Sequence, residues 1–282
     1  MPASMTIPRN IEVRLARNAA EIDAAQRLRY QVFFEEWGAL ADPLAQEQKR
    51  DVDEHDAIMD HLIVIDHART PEQGQVVGNY RLLRCDRLPP GHRFYSSSEF
   101  ELAPLLHSGQ NLLELGRSCV LREYRSIPVL QMLWSAITAY VAEHDISLLF
   151  GCASLRGTDP GPLAEQLAYL HHYHLAPADL RPQATGPTRL DMNTMAREDV
   201  DPVRAMAMLE PIIKGYLRLG ASIGEGAYVD HQFNSVDVCI VMPTARLTRK
   251  YRRHFERTIR RPLPGGAPVP APDLQPRVTE PV

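Results

Sequence analysis

Residues 114–134 read ELGRSCVLREYRSIPVLQMLW. An acid opens a short apolar run, arginines crowd the middle, and a helical pattern follows. NLLELGRSCVL (111–121) predicts a strand. Ser126 predicts the cap of a helix whose buried face is Leu130, Leu133, Trp134, Ile137 and Val141. Pro128 falls in the first turn of that helix, where its missing N–H costs little. Strand, basic turn and helix make the layout of a phosphate cradle, because a helix N-terminus offers unpaired N–H groups and a partial positive charge. Arg122 and Arg125 would add two guanidinium groups to that cradle. The turn holds no glycine.

Outward from this unit the chain alternates strand and helix signals. IEVRLAR (11–17) alternates apolar and polar residues as a strand does. Residues 19–36 place Ile22, Ala25, Leu28 and Val32 at helical spacing, with Gly38 beyond them as a stop. Residues 41–60 read as an acidic loop. HLIVID (61–66) and VVGNYRLLR (76–84) predict a hairpin around the TPEQGQ turn. Residues 86–110 read mostly as loop. SLLFGCAS (147–154) is an apolar run of strand length and predicts a buried parallel strand. A helix is expected over 161–175, and further strands in PTRLDM and SVDVCIVM (235–242). The sum is a mixed α/β architecture around a central sheet.

Composition narrows the class. The 282 residues are 44% hydrophobic and 23% charged, with a formal net charge of −4, ordinary for a soluble globular protein. No apolar run approaches the ~20 residues that span a bilayer, and the N-terminus lacks the apolar centre of a secretory signal. A cytoplasmic location is expected. Cys85, Cys119, Cys152 and Cys239 form no CxxC pair, so reduced, buried thiols are expected and no metal centre. YLHHYH (169–174) has no acid or cysteine to complete a ligand set. The H-x4-D spacing of His174 and Asp179 lacks the glycine-rich motif that would accompany it in a glycerolipid acyltransferase.

Two further stretches carry charge. Glu35, Glu36, Asp51, Asp53, Glu54 and Asp56 cluster near the first helix, as a solvated loop, as a pocket for a cationic amine, or as a general base that removes a proton from one. ARLTRKYRRHFERTIRR (245–261) holds eight Arg or Lys and one Glu. Its Leu247, Tyr251, Phe255 and Ile259 recur every four residues. That pattern fits a terminal helix docked by one face, a helix on an anionic membrane surface, or a docking site for an acidic protein. From residue 262 seven prolines fall in 21 residues, which predicts a disordered tail.

RYQVFFEEWG (29–38), DVDEHD (51–56), GNYRLLR (78–84) and ELGR (114–117) occur in this order. The series resembles the acyl-homoserine-lactone synthases and their relatives in the GNAT N-acyltransferase superfamily. DHLIVID (60–66), PIIKGYLRLGA (211–221) and VDHQFNSVDVCIVMP (229–243) bring it nearer to the L-ornithine N-alpha-acyltransferases, over roughly residues 10–255. The resemblance implies a GNAT-like (acyl-CoA N-acyltransferase) fold, a central mixed β-sheet flanked by helices. It implies one domain over 11–261 ending in the basic helix, with residues 1–10 as an N-terminal arm and 262–282 as the tail. The implied reaction moves a 3-hydroxyacyl chain from acyl carrier protein to the α-amine of L-ornithine, giving lyso-ornithine lipid. No resident cofactor is implied, the phosphopantetheine arm of the carrier being part of a co-substrate, and nucleic acid has no part.

Carried over by position, Glu114 is the catalytic base. Arg29, Phe33, Trp37, Asp53, Asp56, Arg81 and Arg117 line the acyl and acceptor pockets, with Asp53 or Asp56 for the side-chain amine of ornithine and Arg81 or Arg117 for its carboxylate. Arg122, Arg125 and Ser126 meet the pantetheine phosphate. Acetyl-CoA-dependent GNAT enzymes usually carry Arg/Gln-x-x-Gly-x-Gly/Ala there, and both glycines are missing in this chain. A CoA pyrophosphate should therefore fit less well than the single phosphodiester of a carrier protein. Residues 245–261 would face the acidic carrier or the cytosolic side of the membrane. The rival readings are a lactone synthase using S-adenosylmethionine and an acetyl-CoA-dependent N-acetyltransferase.

Overall fold

The computed structural model describes residues 10–264; the N-terminal arm and the proline-rich tail expected at the two ends lie almost wholly outside them. Residues 262–264, assigned to the tail, are part of the fold. Leu263 is buried, and the carbonyls of Leu263 and Pro264 accept hydrogen bonds from Arg252.

In chain order the strands are β1 (Ile11–Leu15), β2 (Asp60–Asp66), β3 (Val76–Arg84), β4 (Phe100–Glu101), β5 (Leu112–Val120), β6 (Leu148–Arg156), β7 (Gln183–Ala184), β8 (Arg189–Leu190), β9 (Ser222–Ile223), β10 (Ala227–Asp230) and β11 (Ser235–Pro243). The helices are α1 (Ala19–Tyr30), α2 (Pro43–Gln48), α3 (Ala103–Leu106), α4 (Ile127–Glu143), α5 (Ala164–His174), α6 (Pro202–Met208), α7 (Pro211–Leu219) and α8 (Arg249–Ile259). The main sheet runs β1-β2-β3-β5-β6-β11-β10-β8, with β9 also on β11, and β4 pairs with β7 apart from it. All pairings are antiparallel except β5 with β6. Those two strands are joined through α4, the long crossover that a parallel pair needs. This is the mixed central sheet flanked by helices that the sequence predicts.

Alternation along β5 and β6 divides the core. Leu113, Leu115 and Leu149 face one apolar cluster, shared with Leu28 of α1 and with Leu133 and Ile137 of α4. Leu112, Leu148 and Phe150 face the other, closed by Phe94, Phe100 and Leu105 from the segment between β3 and β5. Glu114, in phase with Leu112, therefore points toward that segment.

Several sequence expectations are corrected. Residues 41–60 are not all loop: Asp42 caps α2 by accepting the Ala45 N–H at 2.8 Å, and Pro43 opens it. In α4 Leu130 faces outward, 43% exposed, while Val129 and Tyr140 join the buried face. The first helix changes at Gln31 into a π-helical turn through Glu36. PTRLDM contributes only two strand residues. The four cysteines are free, but Cys85 and Cys152 are only partly buried.

The basic helix is docked. Leu247 and Phe255 are buried, and Tyr251 and Ile259 pack against the same core. Its apolar face is thus used within the fold and is not available to insert into a membrane, while Arg253, Arg257, Arg260 and Arg261 are exposed. Among the described residues no helix is long and apolar enough to cross a membrane.

Candidate active site

The parallel ladder between β5 and β6 pairs Leu112–Glu114 with Leu148–Phe150 and then stops, although each strand continues for six residues. At that point Gly151 lies against β5: a Cβ there would meet the Leu115 carbonyl oxygen at 2.1 Å. A small apolar cavity of about 10 Å³ lies beside it, lined by Leu115, Leu149, Phe150, Gly151, Tyr216, Ile240 and Met242. Beyond the ladder, the β6 side of β5 has no partner strand among the described residues. An extended chain could lie in this gap and use the free backbone groups of β5.

Glu114 sits at the last rung. It is 1% exposed, and its two carboxylate oxygens accept N–H bonds from Tyr95 at 3.0 Å and Ser96 at 2.7 Å. Burial pushes its carboxyl above the ordinary carboxylate range, against the hydrogen bonds from Ser96 and Tyr95 that favour the charged form. An acid so placed is a better proton acceptor at neutral pH than an exposed carboxylate.

Opposite β6, strand β5 carries a bulge. Arg81 pairs with Gly116 and Asn79 with Cys119, so Arg117 and Ser118 together oppose Tyr80. Arg117 takes φ +47°, a left-handed conformation that costs a non-glycine residue about 1–2 kcal/mol. Asn79 Nδ2 donates to the Arg117 carbonyl at 3.0 Å and fixes the kink. The guanidinium then lies 4.6 Å from the Tyr95 ring centroid and 4.4 Å from that of Phe233.

Three arginines and three aspartates close a ring. Arg29 bonds Asp51 at 2.8 Å and Asp56 at 2.8 Å. Arg81 bonds Asp53, and Asp56 at 3.0 Å. Arg117 bonds Asp51 at 3.1 Å and Asp53 at 3.2 Å. Each cation bridges two anions and each anion two cations, so the ring is neutral. Arg29 and Arg81 are fully buried. Although desolvation opposes it, the guanidinium groups hold the Asp53 and Asp56 carboxyls below their ordinary range. The loop is preset for this: Asp53 caps the short 3-10 turn Glu54–Ala57, accepting the His55 N–H while Asp56 accepts the Asp53 N–H.

The roles expected for these residues are therefore revised. Asp53 and Asp56 are matched by Arg81, Arg29 and Arg117 and carry no free charge for an amine. Arg81 and Arg117 are equally engaged and offer none for a carboxylate. The ring orders the 51–56 loop and holds Arg117 at the mouth of the site.

Phe33 and Trp37 come off the π-helical turn, a local widening that re-aims side chains. Phe33 packs edge-on to Trp37 at 5.5 Å and to Phe233 at 5.8 Å. The rings build an apolar wall that continues to Arg117. In the basic turn, Arg125 is held by both carboxylate oxygens of Glu36, at 2.6 and 2.7 Å, so its charge is compensated. Arg122 is exposed. Ser126 stands at the α4 N-cap with no side-chain capping bond, which leaves its hydroxyl and the Ile127 and Val129 N–H groups open, Pro128 having none.

Three acids missed in the sequence lie beside this centre. Glu99, Asp230 and Asp237 bring carboxylate oxygens within 4.8 Å of one another. Asp237 had left a signal: an acid inside the otherwise apolar SVDVCIVM strand.

A family model described as an acetyltransferase (GNAT) domain matches residues 28–135. An L-ornithine N(alpha)-acyltransferase of Rhodobacter capsulatus is 46% identical over 254 residues, covering 89% of this chain and 97% of that one. One of Rhizobium meliloti is 44% identical over 259 residues, covering 90% and 88%. Among solved structures, an N-acyl amino acid synthase from uncultured soil microbes has a TM-score of 0.48 at 10% identity, covering 84% of this chain and 93% of that one.

Proposed function

The chain belongs to the L-ornithine N(alpha)-acyltransferase family, and from that premise we propose that it transfers a 3-hydroxyacyl chain from acyl carrier protein to the α-amine of L-ornithine, giving lyso-ornithine lipid. It is an acyltransferase with a GNAT domain. The observation that carries the site assignment is the break in the β5–β6 ladder directly after Glu114. A pantetheine arm lies in that gap as an extended chain, its amides on the free backbone of β5 and its thioester beside Glu114. The α-ammonium loses a proton to Glu114 through the Ser96 hydroxyl. The freed amine attacks the thioester carbonyl. Backbone N–H groups of β5 stabilise the oxyanion, the C–S bond breaks, and the second amine proton leaves with the thiol. The Phe33–Trp37–Phe233 wall favours an acyl chain.

The donor reading rests on the turn. With Arg125 matched by Glu36, the phosphate falls to Arg122, the Ser126 hydroxyl and the α4 N-terminus. The exposed arginines of α8 suit an acidic carrier protein. Purified protein given ornithine with either 3-hydroxyacyl carrier protein or the matching 3-hydroxyacyl-CoA tests this. We expect N-acylornithine by mass spectrometry, with kcat/KM at least tenfold higher for the carrier-bound donor. Equal use of both donors would remove the carrier protein, and no acylornithine from either would remove the reaction.

A further inference from the structure

Glu99 and Asp237 are 2% and 5% exposed. Glu99 Oε2 and Asp237 Oδ1 have no hydrogen-bond partner. Asp230 completes the group and opens it to the outside, being only partly buried; its Oδ1 is occupied by the N–H groups of Gln232 and Phe233. Arg117 is the cation that acts on Glu99 and Asp237, and its charge is already shared with Asp51 and Asp53. Burial, reinforced in Glu99 by the charge of Asp237, pushes Glu99 up to about 9, and burial pushes Asp237 up to about 6. Ionised, such buried oxygens without partners are costly, so the pocket by itself favours the protonated acids, and a bound cation with N–H donors is what would let them ionise.

The pocket adjoins the proposed centre. Ser96, whose N–H binds Glu114 at 2.7 Å, also lies 3.4 Å from Cys152 Sγ through its hydroxyl. Cys152 in turn acts on Glu99. Ser96 and Cys152 thus link Glu114 to Glu99.

We propose that Glu99, Asp237 and Asp230 form the pocket that holds the side-chain ammonium of the acceptor amino acid. The inference rests on the ornithine-acylating reading above and adds the residues that select a diamino acid. An ammonium has three N–H donors, and acceptors at ~2.8 Å from a tetrahedral nitrogen stand about 4.6 Å apart. A spacing of up to 4.8 Å admits that arrangement. A divalent cation with oxygen ligands near 2.3 Å would need the same oxygens about 3.3 Å apart, which that bound also admits, so metal content is one arm of the test. The carboxylates also keep the bound δ-nitrogen protonated, hence without the lone pair needed to attack a thioester. The α-nitrogen, released to Glu114, is then the one that reacts.

The test compares wild type with the E99Q/D237N double variant, using 3-hydroxyacyl carrier protein as donor. The acceptors are L-ornithine and L-norvaline, the same chain without the terminal amine. Wild type should favour ornithine in kcat/KM by about 10²–10⁴-fold. In the double variant that ratio should fall to within about tenfold of unity, with the loss in KM for ornithine. A double variant that keeps the wild-type ratio overturns the pocket while leaving the reaction standing. A wild type that never acylates ornithine overturns the reading beneath it. Metal analysis of the purified wild-type protein is the second arm: a stoichiometric divalent ion, absent from the double variant, would also overturn the ammonium assignment. If the double variant does not fold, as judged by thermal melting, Asp237→Asn alone makes the same comparison.

Discussion

Replacing Glu114 with glutamine is expected to lower turnover by about 10²–10⁴-fold while the protein stays folded and still binds the acyl donor. The side chain does two jobs. It holds the Tyr95–Ser96 turn through two N–H bonds, and it supplies a carboxylate whose proton affinity burial has raised. Glutamine keeps one carbonyl acceptor, so one backbone bond survives, but its amide N–H groups face the other N–H donor in a buried site, and the cost in stability should be about 1–3 kcal/mol. What it cannot do is take a proton. Steady-state rates with saturating donor and acceptor, alongside a thermal melt, separate the two jobs. An unchanged turnover would remove Glu114 from the chemistry and leave it as an anchor for the turn.

The second large effect is on stability. Asp56→Ala should destabilise the fold by about 3–5 kcal/mol, against a total of about 5–15 kcal/mol for ordinary domains. The reason is what is left behind: Arg29 and Arg81, fully buried, would each lose one of their two carboxylates. By contrast, breaking the exposed Arg27–Asp23 pair on α1 should cost no more than about 0.5 kcal/mol. Urea midpoints read both, with the slope unchanged. The ring also sets an acid limit. Asp53 and Asp56 have carboxyls depressed in the folded state. Their contribution is therefore fully present above the ordinary carboxylate pKa of about 4, and is lost as the pH falls from there through the folded values. An unfolding free energy for Asp56→Ala within about 0.5 kcal/mol of wild type would mean that the ring does not stabilise the fold.

The fold was legible because its signals are local. Strand β5, its basic turn and helix α4 each show their own period or cap, and the hairpin of β2 and β3 is bounded by Pro71 and Gly74. Helix α2 carried a signal too, an Asp42–Pro43 cap and N1 pair, hidden by the surrounding acids. Its six residues have no buried side chain to set a period. The phase of α4 was misjudged at Leu130 because Val129 carries the inward face in the first turn.

The site was legible in its residues but not in its pairings. Arg29, Asp53, Asp56, Arg81 and Arg117 were all named, yet a list of charges cannot say that they neutralise one another. That follows from a left-handed Arg117 at a bulge and from a loop folded on its own aspartates, both set by tertiary contacts. Glu99, Asp230 and Asp237 stand 131 or more residues apart on one side and 7 on the other. Only the meeting of the β4 turn with β10 and β11 brings them together. In the basic turn Glu36 takes up the charge of Arg125, which spacing alone could not foresee.

The most direct test of the central claim offers the purified enzyme 3-hydroxyacyl carrier protein with L-ornithine and S-adenosylmethionine together. Free thiol release is followed, and the product is identified by mass spectrometry. The account predicts stoichiometric thiol release and Nα-(3-hydroxyacyl)ornithine as the product. Thiol release that yields an acyl-homoserine lactone, with no acylornithine, would contradict it.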